Sequence, residues 1–108
     1  MSNQEFIGYV GDADFHDGHV VTVVREGDTA RVRLRGVSGR EFVVEFRGVQ
    51  AVRSKQPEGM MIYALSEMRA SPPLRLFVFG NWDEEDTSLL EIEAESFSVI
   101  EAHTAEQT

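Results

Sequence analysis

The stretch Arg31-Val32-Arg33-Leu34-Arg35-Gly36-Val37-Ser38-Gly39-Arg40-Glu41-Phe42-Val43-Val44-Glu45-Phe46-Arg47 decides the fold class. Its first five residues alternate polar and apolar without exception, and Phe42, Val44 and Phe46 continue the pattern after the glycines. A period of two belongs to a strand with one face buried, not to a helix. A three-residue loop at Val37-Ser38-Gly39 places Gly39 at the left-handed position such loops need. That loop sets Leu34 opposite Phe42 and Val32 opposite Val44 on one face. It sets Arg35 opposite Glu41 and Arg31 opposite Glu45 on the other. Apolar pairs inside and opposite charges outside agree on one register.

Outward from this hairpin the chain continues to read as strands. His19-Val20-Val21-Thr22-Val23-Val24-Arg25 is β-branched and ends at Glu26-Gly27-Asp28-Thr29. A two-residue Gly27-Asp28 turn predicts Val21 and Val23 on the inner face, and leaves Val20 and Val24 outside. A second layer, or a contact between subunits in an oligomer, would cover that Val20/Val24 face. After Phe46, Gly48 interrupts the alternation and reads as a bulge. Residues 60–68 (MMIYALSEM) fit a helix through Met61, Ala64, Leu65 and Met68, and fit a strand through Ile62 and Tyr63; periodicity does not arbitrate so short a run.

Leu74 to Phe79 and Leu89 to Glu95 form the arms of a second hairpin, with Leu90, Ile92 and Ala94 inward and Glu91, Glu93 and Glu95 outward. The phase flips at Glu95-Ser96, so Phe97 and Val99 take the inner places after a bulge or corner. The expected fold is all-β, or mainly β with one short helix: an antiparallel barrel or sandwich of about six or seven strands. Residues 1–108 form a single domain with a frayed tail at 102–108.

The chain has 108 residues, no cysteine and a net charge of −9. Disulfides, thiolate metal sites and thiol nucleophiles are thereby excluded. No run of eighteen apolar residues exists to make a membrane helix. The opening Met1-Ser2-Asn3-Gln4-Glu5 lacks the basic and apolar regions of a secretory signal, which predicts a cytoplasmic protein. Charge is distributed unevenly. Residues 1–56 carry eight acids and eight bases, whereas residues 57–108 carry eleven acids against Arg69 and Arg75. Arg25 to Lys55 holds eight bases and four acids, a basic shoulder on an acidic molecule. Such a protein is repelled by nucleic acid, whose binding rests on phosphate neutralisation.

The densest polar cluster is Asp12-Ala13-Asp14-Phe15-His16-Asp17-Gly18-His19. Asp12, Asp14, His16, Asp17 and His19 are the ligand types of a metal site, or the wall of a small-ligand site. The spacing matches no calcium loop. A turn in which Asp17 accepts backbone N–H groups and His16 is partly buried is the plainer expectation. No Gly-x-Ser-x-Gly elbow is present, and Gly8 and Gly11 make no phosphate loop without a following lysine. No catalytic residues are assigned, and no cofactor is implied. At 81–87 an aromatic joins four acids. Trp82, Asp83, Glu84, Glu85 and Asp86, with the strand acids Glu91 and Glu93, form a candidate partner-binding flank, because tryptophan is a frequent hot-spot residue and an acidic rim steers basic partners. The alternative is a solvated loop with Trp82 folded back on the sheet.

Phe15-His16-Asp17-Gly18-His19-Val20, followed by the Val-rich strand and by Val43-Val44-Glu45-Phe46-Arg47-Gly48-Val49, resembles a loose group of small bacterial β-rich domains. These carry a His-Asp-(Ala/Gly) element before the first strand and a Phe-x-Gly-Val element ending the third. Some are immunity proteins of toxin systems and many are uncharacterised. The resemblance spans roughly Phe6 to Val52, and implies a non-enzymatic domain whose partner is a protein such as a toxin.

Overall fold

The computed structural model describes residues 5–83 and 85–102. It contains nine strands and one 3-10 turn, Ala13–Phe15. The strands are β1 (Phe6–Tyr9), β2 (His19–Glu26), β3 (Thr29–Arg35), β4 (Glu41–Arg47), β5 (Ala51–Lys55), β6 (Ile62–Met68), β7 (Arg75–Asn81), β8 (Leu89–Ala94) and β9 (Ser96–Ala102). They form two antiparallel sheets, ordered β1-β6-β7-β8-β5 and β2-β3-β4-β9. One isolated bridge, His19 to Met61, links the sheets, but they do not close, so the architecture is a sandwich rather than a barrel. The described strands number nine, because Phe6–Tyr9 adds a strand that alternation did not mark and because two segments that read as single bent strands are each divided between the two layers.

The β3–β4 hairpin has the register that alternation predicts: Arg35 faces Glu41, Leu34 faces Phe42, Val32 faces Val44 and Arg31 faces Glu45. Its loop closes with the Gly36 N–H on the Arg40 carbonyl at 2.7 Å, and Gly39 has φ 94°. The Gly27-Asp28 turn is also as expected, with Glu26 paired to Thr29 and Gly27 at φ 61°.

β2 departs from expectation. Val20 pairs with Leu34 but Thr22 pairs with Arg33, so Val21 is an extra residue in the ladder. The bulge shifts the phase, and Val20 is therefore buried in this chain's own core with Val23 packed against it. Val21 is only half-buried and Val24 is exposed. A subunit contact cannot use Val20.

Gly48 is a corner and not a bulge within one strand. At φ 67° it turns the chain out of β4 and across to β5 in the other sheet. The return crossing lies beside it: the Glu95 N–H bonds the Arg47 carbonyl at 2.9 Å, and the Gln50 N–H bonds Glu93 at 2.8 Å. The phase flip at Glu95-Ser96 is this second corner, and it delivers Phe97 and Val99 to the core. Residues 62–68 are strand. β6 is paired on both sides, to β1 and to β7, and a ladder on each edge outweighs the local helical pattern.

The core lies between the sheets. Phe46 is fully enclosed, with the rings of Phe77, Phe79 and Phe97 at 5.0, 6.0 and 6.3 Å. Phe15, from the 3-10 turn, meets Phe42 edge-on at 5.1 Å and plugs one end.

Candidate functional site

The segment Asp12 to His19 closes one end of the sandwich, with Phe15 in the core and its two N-terminal aspartates bonded to neighbouring backbone and side chains. Asp12 caps the 3-10 turn, accepting the Asp14 N–H at 2.8 Å, and also takes Arg40 Nη2 at 3.1 Å. Asp14 reaches the β3–β4 loop, where Ser38 donates its N–H at 3.2 Å and its hydroxyl at 2.7 Å. These two acids, rather than Asp17, bond the backbone N–H groups. Asp17 has φ 64° and its own N–H donates to Ile62. His16 is exposed, and His19 sits in the bridge to Met61. Among the described residues no three His, Asp or Glu side chains converge where a metal ion could be held.

The basic shoulder is neutralised by the acids beside it. Among the described residues, eight of the ten Lys and Arg side chains lie in ion pairs; only Arg25 and Lys55 do not. Arg35 and Arg33 hold the Glu41 carboxyl below the usual carboxylate range, and Arg47 and Arg31 do the same for Glu45. Glu91 and Glu93 belong to this set as well, because Arg53 on the neighbouring strand takes both at 3.1 Å. Those two acids were expected in a bare acidic flank; β5, lying beside β8, covers them with its one arginine.

The turn between β7 and β8 is different. Asp83, Glu85 and Asp86 have no ion-pair partner among the described residues; Glu84 lies outside them. Successive side chains cap the next backbone N–H groups. Asn81 accepts from Asp83 at 2.8 Å, Asp83 from Glu85 at 2.9 Å, and Asp86 from Ser88 at 3.0 Å. The Ser88 N–H and hydroxyl hold the Asp86 carboxyl low. This sequence of Asx turns gives an acidic loop a defined shape. Trp82 is 55% exposed, and its backbone N–H donates to the Met61 carbonyl at 2.9 Å.

Beside that turn runs a strip of aromatic side chains that the sequence did not disclose. Phe6 and Tyr9 on β1 meet at 5.0 Å; Tyr9 meets His16 at 5.6 Å and Tyr63 of β6 at 6.2 Å; His16 meets Tyr63 at 5.6 Å. The Tyr63 hydroxyl pushes the Tyr9 phenol above its ordinary value. Gly80 on β7 lies directly beside Tyr63, so the strip passes over a bare backbone floor toward Met61 and Trp82. Phe6, Tyr9, Met61, Tyr63 and Trp82 are each about half exposed. The signal was present but ambiguous. Met61 and Tyr63 are the out-of-phase partners of buried Met60 and Ile62, a contrast legible only once the segment is known to be strand.

Comparison with protein-family models, with curated proteins and with solved structures finds no match.

Proposed function

We propose that this chain is a non-enzymatic interaction domain that binds a basic protein through the aromatic strip and the acidic β7–β8 turn. One observation carries the proposal. Asp83, Glu85 and Asp86, in no ion pair among the described residues, are gathered on one turn beside exposed Trp82, Met61 and Tyr63, whereas the other described acids in no ion pair, Asp17, Asp28, Glu58 and Glu95, stand singly along the chain. Tyrosine and tryptophan supply large contact area at low entropic loss, and their faces accept arginine and lysine. An acidic rim beside them speeds encounter with a positive partner and repels acidic ones. The resemblance of Phe6 to Val52 to immunity-type domains favours a toxin as that partner. Arg33 and Arg35 share Glu41, and Arg47 shares Glu45 with Arg31, which reduces what the shoulder offers to a phosphate backbone.

The test is retention from native cell extract on the immobilised chain at low and high salt, read by mass spectrometry. A basic protein is expected, retained at low salt and released at high salt. The triple variant Asp83→Lys, Glu85→Lys, Asp86→Lys should lose it, and Trp82→Ala should weaken it at every salt concentration. Equal retention by both variants, or no retained protein, refutes the proposal.

A further inference from the structure

Four strands border the two sheets, and three of their edges carry devices that discourage pairing with another chain. β1 has four residues and a register shift between Phe6 and Gly8. β5 has five residues and carries Arg53 and Lys55. β2 is broken by the bulge at Val21, and its first turn is bonded to the opposite sheet, with the Val20 N–H on Met60 at 2.9 Å and the Gly59 N–H on Val20 at 2.7 Å.

β9 has none of these. It runs seven residues, Ser96-Phe97-Ser98-Val99-Ile100-Glu101-Ala102, in unbroken register against β4. It contains no Lys, Arg or Pro, and its single charge is Glu101. Phe97, Ser98, Val99 and Glu101 line a cleft of about 510 Å³ together with Phe42, Gly11 and Asp12. Three consecutive residues of one strand line that cleft, so the strand's backbone edge faces it. On the outer face Ile100 is 54% exposed, opposite Val43 of β4.

We propose that β9 is a self-pairing edge, through which two copies of this chain join antiparallel about a two-fold axis at Val99 to form one continuous eight-stranded sheet. Val99 is the midpoint of β9, so this register alone pairs all seven residues. It places Ser98 opposite Ile100 of the partner copy and Phe97 opposite Glu101 of the partner copy. Shifting the axis to Ser98 would set Glu95 against Glu101, and like charges directly opposed are destabilising. The contact is isologous, as a closed dimer requires. It is independent of the binding surface proposed above, and its salt dependence has the opposite sign. Each copy carries −9, so screening favours association of two copies while weakening capture of a basic partner.

Sedimentation equilibrium of the full chain, from micromolar to millimolar concentration at low and high salt, tests this. The mass should rise from 12.1 kDa toward twice that value, more readily at high salt. Ile100→Lys and, separately, Ser98→Lys should hold 12.1 kDa with an unchanged far-ultraviolet spectrum and melting temperature. Val24→Lys, on the exposed part of β2, should dimerise like the wild type. A wild-type chain that stays monomeric throughout overturns the proposal. Association that survives both β9 variants, or that Val24→Lys abolishes, overturns it equally.

Discussion

Replacing Phe46 by alanine tests whether the two sheets enclose a dry interior. Phe46 has no exposed surface and is ringed by Phe77, Phe79 and Phe97. Truncation of a buried phenylalanine costs about 3–5 kcal/mol, and the cost rises with the cavity that neighbours cannot refill. Rigid rings from both sheets surround this position, so the upper end of the range, about 5 kcal/mol, applies. Phe42 is the control. It is 2% exposed but lines the open cleft beside β9, where water and the Arg40 side chain, 5.0 Å over its ring, can fill the space. Phe42→Ala should therefore cost about 3 kcal/mol, the lower end. The assay is urea denaturation followed by circular dichroism. With a slope of roughly 1–3 kcal/mol/M, Phe46→Ala should move the midpoint by about 2 M or more, and Phe42→Ala by distinctly less. If Phe42→Ala proves equally or more destabilising at unchanged slope, enclosure at Phe46 is not what the sandwich provides, and the placement of Phe77, Phe79 and Phe97 around it is wrong.

Val20→Asp should abolish or nearly abolish folding, because it buries an unpaired carboxylate, whereas Val24→Asp should move the urea midpoint little; similar effects would refute the bulge at Val21. Gly48→Ala should lower the melting temperature more than Gly59→Ala: both glycines have positive φ, but a Cβ at Gly48 would lie 2.8 Å from the Glu95 side chain, while nothing stands near Gly59. Arg75 grips Glu67 with two bonds of 2.9 Å and holds its carboxyl low. A depressed folded value adds stability above the unfolded carboxylate pKa, about 4.3, and that stability is lost as pH falls through the folded value. Urea midpoints should accordingly fall below about pH 4, and Glu67→Gln should flatten this acid limb; an unchanged limb would show that the pair does not contribute.

The charge layout was only partly legible. That arginines and glutamates crowd the hairpin, and that acids dominate the second half, is plain from the residues. Which acid meets which base depended on strand order. Nothing local says that β5 lies beside β8, so nothing local says that Arg53 removes Glu91 and Glu93 from the acidic flank. The aromatic strip was hidden for the same reason: its members come from β1, from β6 and the residue before it, from the residue after β7 and from the C-cap of the 3-10 turn, which only tertiary structure makes neighbours.

The sequence by itself determined the β class, the β3–β4 register down to its opposing pairs, the turn at Gly27, the left-handed Gly39, and the inward faces at Leu90, Ile92, Phe97 and Val99. All of these follow from alternation and turn chemistry, which act over a few neighbouring residues. Tertiary structure alone decided that Gly48 turns the chain between layers, that a bulge carries Val20 inward, and that residues 62–68 pair as strand. Each depends on a partner distant in sequence. A two-residue period states which side chains share a face, but not which sheet that face belongs to, nor where one extra residue reverses it.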